Sequence, residues 1–472
     1  MACLTVPLSK PTSKKLFFSI LSILVAAQCA VPGIMIYIGC VLILLWITFN
    51  TVIFMCRKPS DDFTDPSPLL PTTDKPASSS AKSERFYYLD NLKIFLTLIV
   101  IMHHQTCSFV GTGWYFNIGN YNSSFRAFGN PILAMNQSYF MCVFFFISGY
   151  FTPSSFEKKG RQLFLRDKFK RLGIPYILFA FVLSLVLGMI YKGFCGHDIS
   201  PDPTPNPGPL WFVGWLLVFN YAYSCTDHNT HPTIMGCPSP FQMLNWTFWL
   251  NILQFGLIFA MGGTFAYMPL TLGSLPFDVM YFYGGCIAKR NKWLETGTEG
   301  GIVEIMDKHR KWIYAVIAIH AVYNFGYNIY YQQAHVGEDY DLQKNAFYMA
   351  TCIFLGTWLY IALMLFAQLD IFRNYFNWTG KWSKILAGAS YTAYIIHPFF
   401  VVTATGVFVK TYEAATGQML VFEDGKTDSE TVLESDVWLW GGWAVCSCTS
   451  VFMTFFVSYW FRELMPGAQQ IL

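Results

Sequence analysis

The chain has 472 residues, of which 54% are hydrophobic, 18% are aromatic and only 12% are charged. Soluble proteins carry about 25% charged residues, so the composition excludes an ordinary soluble domain. Several separate apolar runs are about twenty residues long, which is the length that crosses a bilayer as a helix. The net charge of +3 excludes little, because the position of the basic residues matters more than their sum. The sequence predicts an all-α fold, a polytopic transmembrane helix bundle.

The N-terminal part predicts a hydrophobic hairpin over residues 1–56. Residues 16–55 are nearly uncharged and are interrupted by Pro32-Gly33, a turn signal that would join two short helices. Basic residues on both sides favour cytoplasmic ends. The alternative is a signal peptide over residues 16–30, which the apolar stretch that follows disfavours. Residues 57–84 are rich in Pro, Ser, Thr, Asp and Lys, and predict a disordered cytoplasmic linker.

A main domain is predicted over residues 85–465, with about ten core spans. These spans cover residues 92–110, 138–152, 174–192, a fourth segment that starts near Leu210, 246–264, 277–288, 312–332, 345–367, 386–408 and 437–461.

Basic residues fix the predicted orientation of these spans. The loop between the second and third spans is the most basic, and the positive-inside rule places it in the cytoplasm. The polar loop before the second span would then lie outside, with two glycosylation sequons at Asn122 and Asn136. The sequence thus predicts a multi-pass integral membrane protein with both termini in the cytoplasm. The basic loop contains Lys158, Lys159, Arg161, Arg166, Lys168, Lys170 and Arg171.

The first predicted span carries ionisable side chains at two depths. Lys93 lies at its cytoplasmic entrance, and His103 and His104 lie about halfway across. Such groups are costly inside a membrane and usually line a cavity or a substrate path. Lys93 and His104 are eleven residues apart, so they share one helix face about 16 Å apart along the axis. His103 points about 80° away from Lys93 on an ideal helix, so the geometry favours His104 as its partner.

Other polar groups have a structural interpretation beside the functional one. His397 precedes Pro398, which frees backbone carbonyl groups that a side chain can satisfy, so a structural role is favoured. Asp278 either caps the span that begins at Phe277 or orients a histidine. Lys168 and Arg171 are suited to bind phosphate, although on composition alone a topology signal is the stronger interpretation. No spacing of cysteines and histidines resembles a metal site.

Five short segments, taken together, resemble the acyltransferase 3 family of integral membrane acyltransferases. Each is weak alone, but they follow the family's order over about residues 85–465. Lys93 and Lys168 stand where the family more commonly has Arg, which keeps the charge but loses the planar bidentate fork. The segments are Leu89-Asp90-Asn91-Leu92-Lys93 with His104, Phe145-Phe146-Ile147-Ser148-Gly149-Tyr150, Lys168–Tyr176, Leu210-Trp211-Phe212 and Ser390–Pro398.

This resemblance implies transfer of an acyl group, commonly acetyl, from acyl-CoA to a hydroxyl of a carbohydrate or similar acceptor. His104 would act as general base, because a neutral imidazole accepts a proton near neutral pH. Lys93 would contact the CoA phosphates or stabilise developing negative charge, and Lys168 and Arg171 would hold the nucleotide end. The expected partners are acyl-CoA, the acceptor and membrane lipid, with no nucleic acid, no bound cofactor and no metal.

The sequence is also compatible with another mechanism and with another function. An acyl-histidine intermediate is a rival mechanism that the sequence leaves possible. A transporter or flippase of an anionic or lipid-linked substrate is the alternative function, although no matching halves with broken helices are visible. A receptor or scaffold is disfavoured, because the sequence has neither a large ligand domain nor a signalling tail.

Overall fold

The computed structural model describes residues 86–110, 115–119, 123–195, 206–226, 235–261, 274–334, 342–418 and 436–465, with Leu420 and two short strands. The predicted N-terminal hairpin at 1–56 and the predicted linker at 57–84 lie outside the described residues. The regular secondary structure of the described residues is helical apart from an antiparallel ladder of β1 (Phe422–Glu423) with β2 (Lys426–Thr427).

The helices follow one another along the chain with two π-helical turns and one 3₁₀ turn between them. In order, they are α1 (Tyr87–Val110), α2 (Ser124–Lys168), a π-helical turn (Phe169–Gly173), α3 (Ile174–Leu178), a second π-helical turn (Phe179–Leu183), α4 (Ser184–Cys195), a 3₁₀ turn (Gly208–Leu210), α5 (Trp211–Cys225), α6 (Pro240–Met261), α7 (Leu275–Arg290), α8 (Ile302–Ala334), α9 (Leu342–Tyr375), α10 (Lys381–Thr416) and α11 (Asp436–Leu464).

The predicted class, a helical polytopic membrane protein, agrees with this architecture. Four helical stretches of the described chain are long and apolar enough to cross a membrane: Tyr87–Val110, Ser124–Cys195, Lys381–Thr416 and Asp436–Leu464. A helix crosses the hydrocarbon core with about 20 apolar residues. Since four stretches meet this criterion, the number of ten spans stays a prediction.

The start of α2 differs from the predicted second span. The helix begins at Ser124, where the Ser123 side chain caps it by accepting a hydrogen bond of 3.2 Å from the Arg126 backbone N–H. Asn136, expected in an outside loop, therefore lies within the helix. Pro131 does not end this helix, because neighbouring helices can satisfy the backbone groups that a proline frees in a membrane bundle.

The basic segment after the second predicted span is helical instead of an irregular loop. Lysine and arginine are good helix formers, so a run of them continues a helix whose charged face meets water. The break in α2 occurs at Gly160, which has φ 68° and open space around its Cα. A positive φ costs glycine little, so the kink falls at that residue.

The closest helix packing joins α2 to α7. A Cβ atom built on Gly149 would overlap the carbonyl oxygen of Phe282, and one built on Gly285 would overlap the carbonyl oxygen of Phe146. Small residues let two helix backbones approach each other in a membrane bundle. This explains the glycine of the Phe145–Tyr150 segment, and it fixes the helix that carries the segment's aromatic rings.

Candidate active site

The first element of the site is α1, whose position is set by a buried glutamine. The side-chain amide of Gln105 donates to the Thr405 hydroxyl of α10 at 2.8 Å, and its oxygen accepts from the Ser450 hydroxyl of α11 at 2.9 Å. All three side chains are fully buried. Buried polar groups that are fully satisfied fix a unique packing. Because His104 is the preceding residue, its backbone is held at a defined height in the bundle.

The His104 side chain is half-buried and lies between two other imidazoles. Its ring stacks on the ring of His397 with centroids 5.1 Å apart and planes 25° apart. The neighbouring His103 ring meets it edge-on at 5.6 Å and packs on Phe140 at 5.3 Å. His104 thus faces α10 from α1, within the interior of the bundle.

The opposite wall is α10, which carries His397, Tyr394 and Tyr391 at intervals of three residues. His397 is fully buried, and its Nδ1 lies 2.6 Å from the Tyr394 carbonyl oxygen. The Tyr394 hydroxyl donates to the Pro209 carbonyl, and the Tyr391 hydroxyl donates to the Arg171 carbonyl. The Ser390–Pro398 segment is therefore hydrogen-bonded to both the Lys168–Tyr176 segment and the turn before Trp211.

Aromatic rings complete this wall. Phe212 packs on Phe145 with ring centroids 4.5 Å apart, on Phe144 at 5.8 Å and on Tyr394 at 5.9 Å. Aromatic pairs at these separations add stabilisation beyond the burial of their area. The second, fourth and fifth segments of the resemblance thus form one packed cluster beside His397.

Helix α5 begins inside this cluster. With 15 residues it is about 22 Å long, which is less than the hydrocarbon thickness of about 30 Å. Pro209 and Leu210, which precede it, are buried, and the Asn206 backbone N–H donates to the Ala180 carbonyl at 3.1 Å. The turn between α4 and α5 therefore lies against the interior helices.

Lys93 lies at the far end of α1 from His104. Its ammonium group is 2.8 Å from an Asp90 carboxylate oxygen and 5.3 Å from the centroid of the Phe151 ring, and its side chain is 35% exposed. Nearby, the Asn91 side chain donates to the carbonyls of Phe376 and Trp378, which fixes the start of α1 against the connection between α9 and α10. Among the described contacts, Lys93 meets Asp90 and Phe151 and does not meet His104.

Lys168 and Arg171 lie at the end of α2 and in the first π-helical turn. The Lys168 ammonium is 5.3 Å from the centroid of the Phe164 ring. The Arg171 side chain is largely exposed, with its Nε 3.9 Å from Asp167. Burial and the nearby Lys159 lower the pKa of Lys168 to about 8, with Asp167 acting in the opposite direction. Arg171 is exposed and Lys168 is partly buried, and both lie on the basic helical segment that follows Gly160.

Asp278 and two polar side chains of α8 have defined surroundings. Asp278 lies in the first turn of α7, fully buried, and accepts a hydrogen bond of 2.7 Å from the Ser274 hydroxyl. His320 is hydrogen-bonded to Asn324 one turn later on α8. Among the described residues, no group of three or more His, Cys, Asp or Glu side chains could hold a metal ion.

The pairing of His104 with His397 is the feature that sequence reasoning missed. The two residues are 293 positions apart, and a buried histidine before a proline is most simply explained as a structural residue. The available signal was their common depth: both lie near the middle of a predicted span whose predicted cytoplasmic end carries a basic residue. A shared depth does not show that the two rings meet, because their contact depends on the packing of α1 against α10.

Comparison with known families gives a match to the acyltransferase domain model over residues 86–463. No curated protein and no solved structure gives a significant match. The matched range covers most of the chain and contains all five segments that form and surround the histidine cluster. The chain belongs to the acyltransferase 3 family, and it is a membrane acyltransferase that transfers groups other than aminoacyl groups.

Proposed function

We propose that this enzyme moves an acyl group, in particular an acetyl group, from acyl-CoA to a hydroxyl of a carbohydrate or a similar acceptor. The observation that carries the proposal is the placement of His104, a half-buried imidazole inside the bundle with a second imidazole stacked on its ring. Ionisable side chains at membrane depth are costly and mark functional sites. In an acyltransferase, such a group is suited to general-base catalysis.

The reaction needs one proton acceptor near the acceptor hydroxyl. His104 takes the hydroxyl proton as the oxygen attacks the thioester carbonyl carbon, and a tetrahedral intermediate forms. This intermediate collapses with cleavage of the C–S bond, and the CoA thiolate leaves. His104 then returns its proton to the thiolate, so that the products are the ester and free CoA.

The cationic residues are assigned to the donor. Eleven residues separate Lys93 from His104, which is about 16 Å along a helix, too far for both to act on one reacting atom. In CoA, the extended pantetheine arm likewise keeps the phosphates away from the thioester. Of the two roles implied for Lys93, phosphate binding is therefore favoured, with the thioester near His104 and the nucleotide end held by Lys168 and Arg171.

The test measures transfer from radiolabelled acetyl-CoA to candidate carbohydrate acceptors in membranes that carry wild type, His104→Ala or His309→Ala. His309 is a half-buried histidine at the start of α8, where its ring meets Phe241. Removing a general base lowers the rate by about 10²–10⁴-fold. We expect that loss for His104→Ala and none for His309→Ala at equal protein levels. Undiminished transfer by His104→Ala would refute the role of His104.

The same preparation distinguishes the alternative mechanism and the alternative function. An acyl-histidine intermediate predicts radiolabelled enzyme after incubation with donor and no acceptor, whereas direct transfer predicts none. A transporter or flippase predicts that acceptor and donor are recovered chemically unchanged. We expect an acylated acceptor and an unlabelled enzyme.

A further inference from the structure

We propose that His397 is a positioning residue for His104: it holds the His104 imidazole in the orientation in which that ring takes the acceptor proton. This inference rests on the proposed function, because it assigns to His397 an effect that is exerted through the general base. It concerns a residue that the sequence alone favours as structural.

The tautomer of His397 is set by its hydrogen bond. Its Nδ1 lies 2.6 Å from the Tyr394 carbonyl oxygen. A carbonyl oxygen only accepts, so Nδ1 carries the hydrogen, and neutral His397 keeps its lone pair on Nε2. Rotation of the ring would break this bond in a fully buried site, where an unmade hydrogen bond costs about 1–3 kcal/mol. The plane of the His397 ring is therefore fixed.

Tyr394, whose carbonyl accepts this hydrogen bond, is held by other parts of the chain. Its hydroxyl donates to the Pro209 carbonyl and its ring packs on Phe144 and Phe212. The helix turn that carries both Tyr394 and His397 is therefore anchored to two other parts of the chain. His397 presents a rigid surface rather than a mobile side chain.

His397 contacts His104 from a different helix, α10. The two rings are stacked within 25° of parallel with centroids 5.1 Å apart, so the face of His397 limits the rotation of His104 about its side-chain torsions. His103 also touches His104, but it belongs to the same helix and moves with it. Because His397 belongs to α10, it fixes His104 relative to the rest of the bundle. A base misplaced by about 1 Å can lose about 10²-fold in rate.

Two substitutions separate the hydrogen bond from the stacked ring. The amide of His397→Asn can still donate to the Tyr394 carbonyl but provides no ring, whereas His397→Phe keeps a flat ring and loses the donor. Thr411→Ala on the same helix is the control, because Thr411 is exposed and its hydroxyl donates to the Val407 carbonyl of its own helix. Each variant is purified in detergent, and kcat and KM for acetyl-CoA are measured on the folded fraction.

We expect His397→Asn to lower kcat by about 10- to 100-fold with an unchanged KM for acetyl-CoA. The loss should be smaller for His397→Phe and absent for Thr411→Ala. If His397 acts only through His104, adding His397→Asn to His104→Ala causes no further loss, since coupled residues are not additive. Additive losses, or full kcat in His397→Asn, would overturn the inference. Full activity in His104→Ala would overturn the proposed function as well.

A second measurement does not depend on turnover. Diethyl pyrocarbonate modifies neutral histidines, and mass spectrometry reports the rate for the peptide that contains His104. Loss of the stacked ring should make His104 react faster in His397→Asn than in wild type, with no change in Thr411→Ala. Equal rates in wild type and His397→Asn would contradict a positioning role, even if the variant were inactive for other reasons.

Discussion

Gln105 of α1 and Thr405 of α10 are joined by a buried hydrogen bond of 2.8 Å, directly beside His104. Replacing Gln105 by Leu leaves the Thr405 and Ser450 hydroxyls without this partner. Because both hydroxyls can still donate to main-chain carbonyls of α10, we expect a loss of stability of about 0.5–1.5 kcal/mol per lost hydrogen bond, measured as a lower midpoint of thermal unfolding in detergent. We also expect a lower kcat, because His104 would no longer be held at a fixed height.

The control for that substitution is Thr454→Val in α11. Thr454 is fully buried, and its hydroxyl has no hydrogen-bond partner among the described residues. Removing an unsatisfied hydroxyl of the same shape is nearly neutral or stabilising. If Gln105→Leu were as stable and as active as Thr454→Val, the amide would not fix α1.

The contact of α2 with α7 gives a steric prediction. Gly149→Ala and Gly285→Ala each place a methyl group on the backbone of the facing helix, so the helices must separate. Overpacking costs about 1–3 kcal/mol, and we expect poor yield of the monodisperse protein on size-exclusion chromatography. Gly284→Ala is the matched control, since a Cβ at Gly284 meets open space. Equal yields for all three variants would show that α2 and α7 do not approach closely in the membrane.

An ion pair at the end of α9 gives a prediction on stability and its dependence on pH. Asp370 is 7% exposed, lies three residues beyond the predicted span at 345–367, and accepts from Arg310 at 2.9 Å and from Tyr314 at 2.9 Å. Burial alone would raise the pKa of Asp370, but these hydrogen bonds lower it below its ordinary value. The ionised Asp370 carboxylate therefore stabilises the fold at pH values above about 3.9, the pKa of this carboxyl in the unfolded protein. This stabilisation is lost as the pH falls through the lower pKa that the carboxyl has in the folded protein.

Asp370→Asn should accordingly destabilise the detergent-purified protein at pH 7 by about 1–3 kcal/mol, with a smaller further loss on acidification than wild type shows. Asp307→Asn is the control, because Asp307 contacts the same Arg310 at 3.3 Å but is 64% exposed. Exposed ion pairs contribute about 0–1 kcal/mol. Equal unfolding temperatures for the two variants would contradict the importance of the buried carboxylate.

Lys168 gives a prediction on the pH dependence of donor binding. Its pKa of about 8, lowered by burial and then by Lys159, means that the side chain loses its charge as the pH rises from 7 to 9. Asp167, Arg171 and the Cys286 thiol also interact with it. If Lys168 binds the phosphates of acyl-CoA, KM for the donor should rise over this range.

Lys168→Arg separates this effect from other titrations, because arginine stays protonated at all of these pH values. We expect the KM of the variant to be nearly independent of pH between 7 and 9. A KM that rises equally in both proteins would assign the effect to another group and would argue against Lys168 as a phosphate ligand.

The sequence predicted the class of fold and the family, since both depend on local patterns. Apolar runs and basic clusters identify membrane helices one at a time. The extent of α2 was predicted less well, because Pro131 and the polar residues around Asn136 resemble a loop until neighbouring helices are present. The helical basic segment was missed for a related reason: a charged run is compatible with either a loop or a solvated helix.

For the candidate site, too, some features follow from local sequence patterns and others depend on helix packing. The depth of His104 follows from the helical rise alone, and the structure places it in the interior of the described bundle. The placement of Lys93 and His104 on one helix face about 16 Å apart follows from an ideal helix and requires no contact between them. The described contacts of the Lys93 side chain are with Asp90 and Phe151. The stacking on His397 depends on how α1 and α10 pack, which no local pattern encodes. The catalytic and donor-binding roles of these residues stay predictions.

The two tyrosine anchors of α10 end on main-chain oxygens, those of Arg171 and Pro209. A main-chain carbonyl is present whatever side chain its residue carries. Substitution at residue 171 therefore leaves the acceptor of the Tyr391 hydroxyl in place, whereas removal of either tyrosine hydroxyl removes one of these two hydrogen bonds. Under the proposed function, the exposed Arg171 side chain can therefore be replaced to test donor binding while the hydrogen bond from the Tyr391 hydroxyl to the main chain of residue 171 is kept.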